Sequence, residues 1–126
     1  MAQGYTIEVK VVQGELKYEL TDGGGGPPKD GKKAHVRFND KVRWICHAGT
    51  LACLFKASPF KETVASAEPG VGTDKLMVDK KHDPTGDNTY KYFVVVVVQP
   101  SGIPIYEDPE IIVDEDPTGE PPPRKR

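Results

Sequence analysis

The chain has 126 residues, of which 37% are hydrophobic and 29% charged, as expected for a single globular domain that closes its own core. Its 13 Gly and 12 Pro indicate many turns and favour an all-β fold over a helical one. Lys and Arg number 17 against 19 Asp and Glu, and the resulting net charge of -2 argues against general nucleic-acid binding.

The first half of the chain predicts five strands. Apolar and polar side chains alternate with a period of two, which places one face of a strand on a core, in the segments 5–11, 16–20, 34–38, 42–46 and 51–55. Gln13-Gly14 separates the first two segments and predicts a hairpin. The glycine- and proline-rich segment 22–31 predicts a surface loop, and Asn39-Asp40 predicts a turn.

The second half predicts fewer and less regular elements. Residues 62–67 are compatible with one helical turn, and residues 76–78 predict a short strand. Residues 90–98 predict a long strand whose valine run lacks polar alternation, so we expect it to be central in its sheet and covered on both faces. Apolar residues at 105 and 111–113 predict the last strand segments of the chain.

About seven or eight short strands separated by turns predict a Greek-key β-sandwich. We expect residues 1–114 to form one sandwich domain and residues 115–126 to form a Pro-rich, charged C-terminal tail. The longest apolar run, Phe93 to Val98, is too short to cross a bilayer, so no membrane span is expected. The first residues show no basic region followed by an apolar run, and we therefore expect a cytoplasmic protein.

Five motifs follow one another in a recognisable order. They are an Asp-x-Val-x-Trp strand at 40–44, a histidine in the next loop at 47, Ser-Pro-Phe at 58–60, Tyr-x-Tyr at 90–92 and Ile-Ile-Val at 111–113. This order resembles the cupredoxin family, the sandwich fold of plastocyanin. The resemblance spans residues 5 to 114 and implies a cupredoxin-like or immunoglobulin-like sandwich.

The same resemblance implies where copper ligands would lie, and most of them are missing. A blue-copper site needs a thiolate and two imidazoles, usually with a weak axial thioether. The family places its cysteine about two residues after the Tyr-x-Tyr strand, where this chain has Val94, and residues 99–110 contain no Cys, His or Met. We expect a scaffold without a cofactor. Cys46, His47 and Cys53 are the candidates for a degenerate copper site.

Other chemistry finds little support in the sequence. Cys46 and Cys53 are too few for a disulfide framework, and we expect two buried thiols rather than a bridge. Ser101 does not lie in a nucleophile elbow, and Lys33 stands where a phosphate-binding loop needs Ser or Thr, so no enzyme activity is expected. The acidic residues between 107 and 116 suggest either a calcium site or a solvated acidic edge, and their spacing favours the edge.

The C-terminal tail is the predicted partner-binding segment. A Pro-rich run ending in three positive charges adopts polyproline II geometry and docks on proteins, although a disordered solubilising terminus is the alternative interpretation. Its residues are Pro121, Pro122, Pro123, Arg124, Lys125 and Arg126.

These observations together predict a non-catalytic protein-interaction or structural module with protein partners, a subunit of a hetero- or homo-oligomeric assembly. The alternative function is a copper-binding or electron-transfer protein with a degenerate cupredoxin site. A further hypothesis is that subunits assemble through pairing of the valine-rich strand.

Overall fold

The computed structural model describes residues 3–23 and 26–115. In this part of the chain every regular element is a strand, and the sheets pack as a small β-sandwich, which confirms the predicted all-β class. No helix in these residues is long and apolar enough to cross a membrane. The Greek-key order of the connections stays a prediction.

Twelve strands occur in the described residues. In chain order they are β1 Gly4–Val12, β2 Glu15–Asp22, β3 Lys29–Asp30, β4 Lys33–Val36, β5 Lys41–Ile45, β6 Gly49–Leu54, β7 Val64–Ala67, β8 Leu76–Met77, β9 Thr89–Lys91, β10 Phe93–Val98, β11 Pro104–Glu107 and β12 Glu110–Val113. They exceed the seven or eight predicted because several are too short to show a period of two. β3 and β8 have two residues each, and β3 lies inside the predicted surface loop.

The first sheet has the strand order β3-β2-β1-β5-β8. β1 and β2 form the predicted hairpin, in which Gln13 and Gly14 both have positive φ, as a two-residue turn between twisted strands requires. β5 lies parallel to β1 on its other side. The predicted turn at Asn39-Asp40 leads into β5, and Asn39 has a φ of 77°. The Asp40 carboxylate is buried and accepts the backbone N–H groups of Gln3 and Arg37, each at 2.8 Å, which ties this turn to the start of the chain.

The remaining strands form a four-stranded sheet of order β11-β10-β6-β7 and a three-stranded sheet of order β4-β12-β9. The single long strand predicted over 90–98 is wrong, because the chain changes sheets at Tyr92: β9 pairs with β12, whereas β10 pairs with β6 and β11. β10 is central in its sheet, as predicted. It is covered on one face only, since Val94 and Val96 are fully buried while Phe93 is 40% exposed.

The helical turn predicted over 62–67 is also wrong. Residues 64–67 form β7, which pairs antiparallel with β6. The local sequence has no strand pattern of its own, and the pairing with a neighbouring strand decides its conformation.

An aromatic cluster occupies the centre of the core. Trp44, Phe55, Phe60 and Tyr92 pack against one another, with ring centroids between 5.0 Å for Phe55 and Tyr92 and 5.9 Å for Trp44 and Phe60. The indole Nε1–H of Trp44 donates to the hydroxyl of Tyr92 at 3.0 Å. Burial raises the pKa of the Tyr92 phenol well above its ordinary value. The cluster is therefore a hydrogen-bonded hydrophobic core rather than an open site.

Candidate interaction surface

The structure does not bring the three candidate copper ligands together into a metal site. Cys46 follows β5 of the five-stranded sheet, whereas Cys53 lies on β6 of the four-stranded sheet, so the connection between them crosses from one sheet to another and is not a hairpin. Both cysteines are free and fully buried, as expected. The His47 imidazole is 65% exposed and its Nε2 lies 3.9 Å from a carboxylate oxygen of Glu8. Within the described residues no three His, Cys, Asp or Glu side chains are placed to hold a metal ion.

Cys53 lies next to the position at which the cupredoxin family has its copper-binding cysteine, but its thiol is also unsuited to metal binding. Val94 occupies that position and pairs with Cys53 across β10 and β6. Burial raises the pKa of the Cys53 thiol above its ordinary value, and this disfavours the thiolate form that ligates metals. No imidazole accompanies Cys53 among the fully buried side chains.

The acidic segment near the end of the domain forms ion pairs. Lys32 pairs with Glu107 at 3.8 Å and Lys91 with Asp108 at 3.7 Å, and the Nδ1 of His35 lies at hydrogen-bond distance, 3.0 Å, from the Asp114 carboxylate. Carboxylates that already face protein cations in solvent form an ordinary charged edge. The structure therefore supports the solvated edge over a calcium site. The predicted docking residues 121–126 lie outside the described residues.

A surface cavity of about 420 Å³ lies beside Tyr5 and Leu20. Asp30 lines it from one side and Lys29 and Lys33 from another, so its charges are of both signs. A cavity with balanced charge and no enclosed polar centre does not select a particular ionic ligand.

The outer surface of the four-stranded sheet carries no charged side chain, and we call it the apolar face. Because side chains alternate along a strand, the register of the four strands defines which of them point outward. The outward residues are Thr50, Ala52 and Leu54 on β6, Val64 and Ser66 on β7, Phe93, Val95 and Val97 on β10, and Pro104 and Tyr106 on β11. Their inward neighbours on the same strands include Leu51, Cys53, Val94 and Val96, all fully buried.

The large side chains of the apolar face are open to solvent. Tyr106 is 61% exposed, Val64 53%, Leu54 43% and Phe93 40%. Phe93 lies opposite Leu54, which in turn lies opposite Val64, and these three side chains form a row across three strands. Phe93 also stacks on Tyr106, with ring centroids 5.5 Å apart. The exposed residues are thus contiguous rather than scattered, which is typical of an interaction site.

The outer surface of the five-stranded sheet has the opposite character. Its outward residues include Glu8, Lys10, Lys17, Glu19, Lys41 and Arg43. Lys10 and Glu19 are diagonal neighbours on β1 and β2 and form an ion pair at 3.2 Å. This is the usual pattern of an antiparallel sheet with one face in water. A sheet of this sandwich therefore does not need an apolar outer surface to be stable. The stability of the fold does not explain the apolar face.

The sequence contained a signal for this surface that we interpreted differently. The valine run of β10 predicts a strand covered on both faces, whereas its outward positions are partly open. The contributions of Leu54, Val64 and Tyr106 were not predicted. The signal is that the outward positions of four strands, β6, β7, β10 and β11, contain no charged residue.

Comparisons with protein-family models and with curated proteins find no match for this chain. The resemblance to cupredoxins therefore stays a prediction. Since fold alone does not imply function, the functional argument depends on the surface itself.

Proposed function

We propose that the protein is a non-catalytic interaction module that assembles through the apolar face with a second copy of itself. The observation that carries the proposal is the absence of charge at every outward position of the four-stranded sheet. The scaffold is cupredoxin-like in this proposal and has no copper site, because Cys46 and Cys53 are buried while His47 is exposed.

A second copy suits this face electrostatically. Two uncharged faces meet without like-charge repulsion and without removing an ion from water, and both of these effects are costly at interfaces. Lys91 and Asp108 lie at the rim beside Phe93 and carry opposite charges, so a two-fold related copy also meets a rim of both signs. The net charge of -2 adds little long-range repulsion between copies.

The size of the face predicts a weak dimer. Four strands about 4.8 Å apart, with about five residues along each at about 3.3 Å, cover a plane of roughly 300 Å². Two copies then bury roughly 600 Å² or somewhat more, since side chains protrude from the plane. This area is below the roughly 1,000 Å² of a stable specific interface and is typical of weak, transient contacts. We therefore expect association that depends on concentration.

Sedimentation velocity over a wide concentration range tests the proposal. The wild-type chain should shift from monomer to dimer as its concentration rises. Tyr106→Lys should remain monomeric, because it places a charge on the apolar face and removes the ring that stacks on Phe93. Val12→Lys is the matched control, since Val12 is equally an exposed apolar residue but lies on the charged outer surface of β1. A wild-type monomer at all concentrations, or equal dimerisation of Tyr106→Lys and wild type, would contradict the proposal.

A further inference from the structure

β7 is an open edge of the four-stranded sheet, and its backbone can accept another strand. Its one ladder partner in the described part of the chain is β6. The N–H of Phe55 donates to the carbonyl of Thr63 at 2.8 Å, which fixes the alternation of hydrogen-bonded pairs along this ladder. Ala65 then bonds to β6, while the N–H and C=O groups of Val64 and Ser66 point away from it, towards the edge.

This edge lacks the features that usually prevent strand addition. Charged residues, prolines and very short strands protect edges from pairing with other chains. The other outer strands of the three sheets have such features: Lys29 and Asp30 on β3, Lys33 on β4, Lys91 on β9, Pro104 on β11, and only two residues in β8. β7, with the sequence Val-Ala-Ser-Ala, has none of them over four residues.

We propose that β7 receives an extended segment of a different protein, which adds to the sheet as a fifth strand. In this mode of recognition main-chain hydrogen bonds supply affinity and alternate side chains supply specificity. Val64 and Ser66 display their side chains on the apolar face, so the segment places small apolar or Thr side chains beside them.

The flanking charges indicate the chemistry of that segment. Glu62 and Glu68 are exposed and lie just outside the two ends of β7. Basic residues at both ends of the added strand complement them.

A second copy of the chain does not satisfy this requirement. A two-fold pairing that joins Val64 to Ser66 of the other copy centres on Ala65 and brings Glu62 against Glu68. Like charges directly opposite each other destabilise a strand pair. The registers that join Val64 to Val64 or Ser66 to Ser66 place no Lys or Arg opposite either glutamate. The edge therefore fits a hetero-partner. The inference does not depend on dimerisation, because these backbone groups point sideways in the plane of the sheet, whereas the side chains of the apolar face point perpendicular to that plane.

The probe for this inference is a synthetic peptide, Lys-Val-Thr-Val-Thr-Val-Lys, titrated into the isotope-labelled chain and followed by NMR. We expect the amide resonances of Val64 and Ser66 to shift and their hydrogen exchange to slow. A peptide with the same core and Glu at both ends should bind about five- to tenfold more weakly. Binding must persist in Tyr106→Lys, which separates this edge from the proposed dimer interface.

Two variants at one position give the control. Ser66→Pro removes an N–H that points to the open edge and leaves the ladder with β6 intact, so it should abolish peptide binding without unfolding the sheet. Ser66→Ala keeps the N–H and should bind as wild type. The inference is overturned by the absence of shifts at β7 with the basic peptide, by equal affinity for the acidic peptide, or by unchanged binding to a folded Ser66→Pro chain.

Discussion

The hydrogen bond between Trp44 and Tyr92 makes a quantitative prediction about the core. Trp44 is fully buried and Tyr92 is 3% exposed, so no water replaces either group if its partner is removed. Tyr92→Phe keeps the ring contacts with Trp44 at 5.7 Å and Phe55 at 5.0 Å and leaves the indole N–H unsatisfied. A buried donor without a partner costs about 1–3 kcal/mol, which lowers the melting temperature by about 4 °C per kcal/mol for a domain of this size.

The assay is denaturant unfolding followed by the fluorescence of Trp44, the one tryptophan of the chain. Tyr18→Phe is the matched control, because the Tyr18 hydroxyl is buried and has no hydrogen-bond partner within the described residues. Glu107 lies near enough to raise the Tyr18 pKa further, after burial, yet the two side chains do not reach hydrogen-bonding geometry. Tyr18→Phe should therefore change the free energy of unfolding by less than about 0.5 kcal/mol. Equal losses in both variants, or none in Tyr92→Phe, would refute this reasoning.

Three further predictions concern stability. Asp40→Ala should lower the free energy of unfolding by about 2–4 kcal/mol, because two backbone N–H groups lose a buried carboxylate acceptor, while Asp79→Ala at an exposed position should change it little. Gly49→Ala should unfold the chain or cost more than about 3 kcal/mol in the same denaturation assay, since a Cβ there would collide with the Val97 backbone. Burial raises the pKa of Cys53 and of Tyr92, so the folded chain holds their protons more tightly than the unfolded chain. The contribution of Cys53 to stability is complete below about pH 8.5 and that of Tyr92 below about pH 10, and each decreases above that pH by up to about 1.4 kcal/mol per pH unit. A denaturation midpoint constant up to about pH 11 would contradict this prediction.

The turns of the fold that depend on a few neighbouring residues were predicted correctly from the sequence. The hairpin at Gln13-Gly14 and the turn at Asn39-Asp40 depend on residues that adopt positive φ, and both occur where expected. The strand β7 and the break at Tyr92 depend on which strands lie alongside, and a single sequence does not show its partners. These two elements were therefore predicted wrongly.

The apolar face was missed for a related reason. Thr50 and Ala52 are ordinary residues on their own strand, and Tyr106 taken alone is one exposed aromatic residue. Only the register brings Tyr106 beside Val95 and Val95 beside Ala52. Cys46 and Cys53 illustrate the opposite case, in which residues near in sequence belong to different sheets. They lie seven positions apart in the chain, but Cys46 follows a strand of the five-stranded sheet whereas Cys53 lies on the four-stranded sheet.

The central claim is that the apolar face is the contact between two copies, and an NMR dilution series tests it most directly. As the concentration rises, we expect the resonances of Ala52, Val95 and Tyr106 to shift together along one binding curve. The resonances of Lys10 and Lys17, on the opposite outer surface, should stay constant. Shifts at Lys10 and Lys17 without shifts on the apolar face, or no concentration dependence anywhere, would contradict the account.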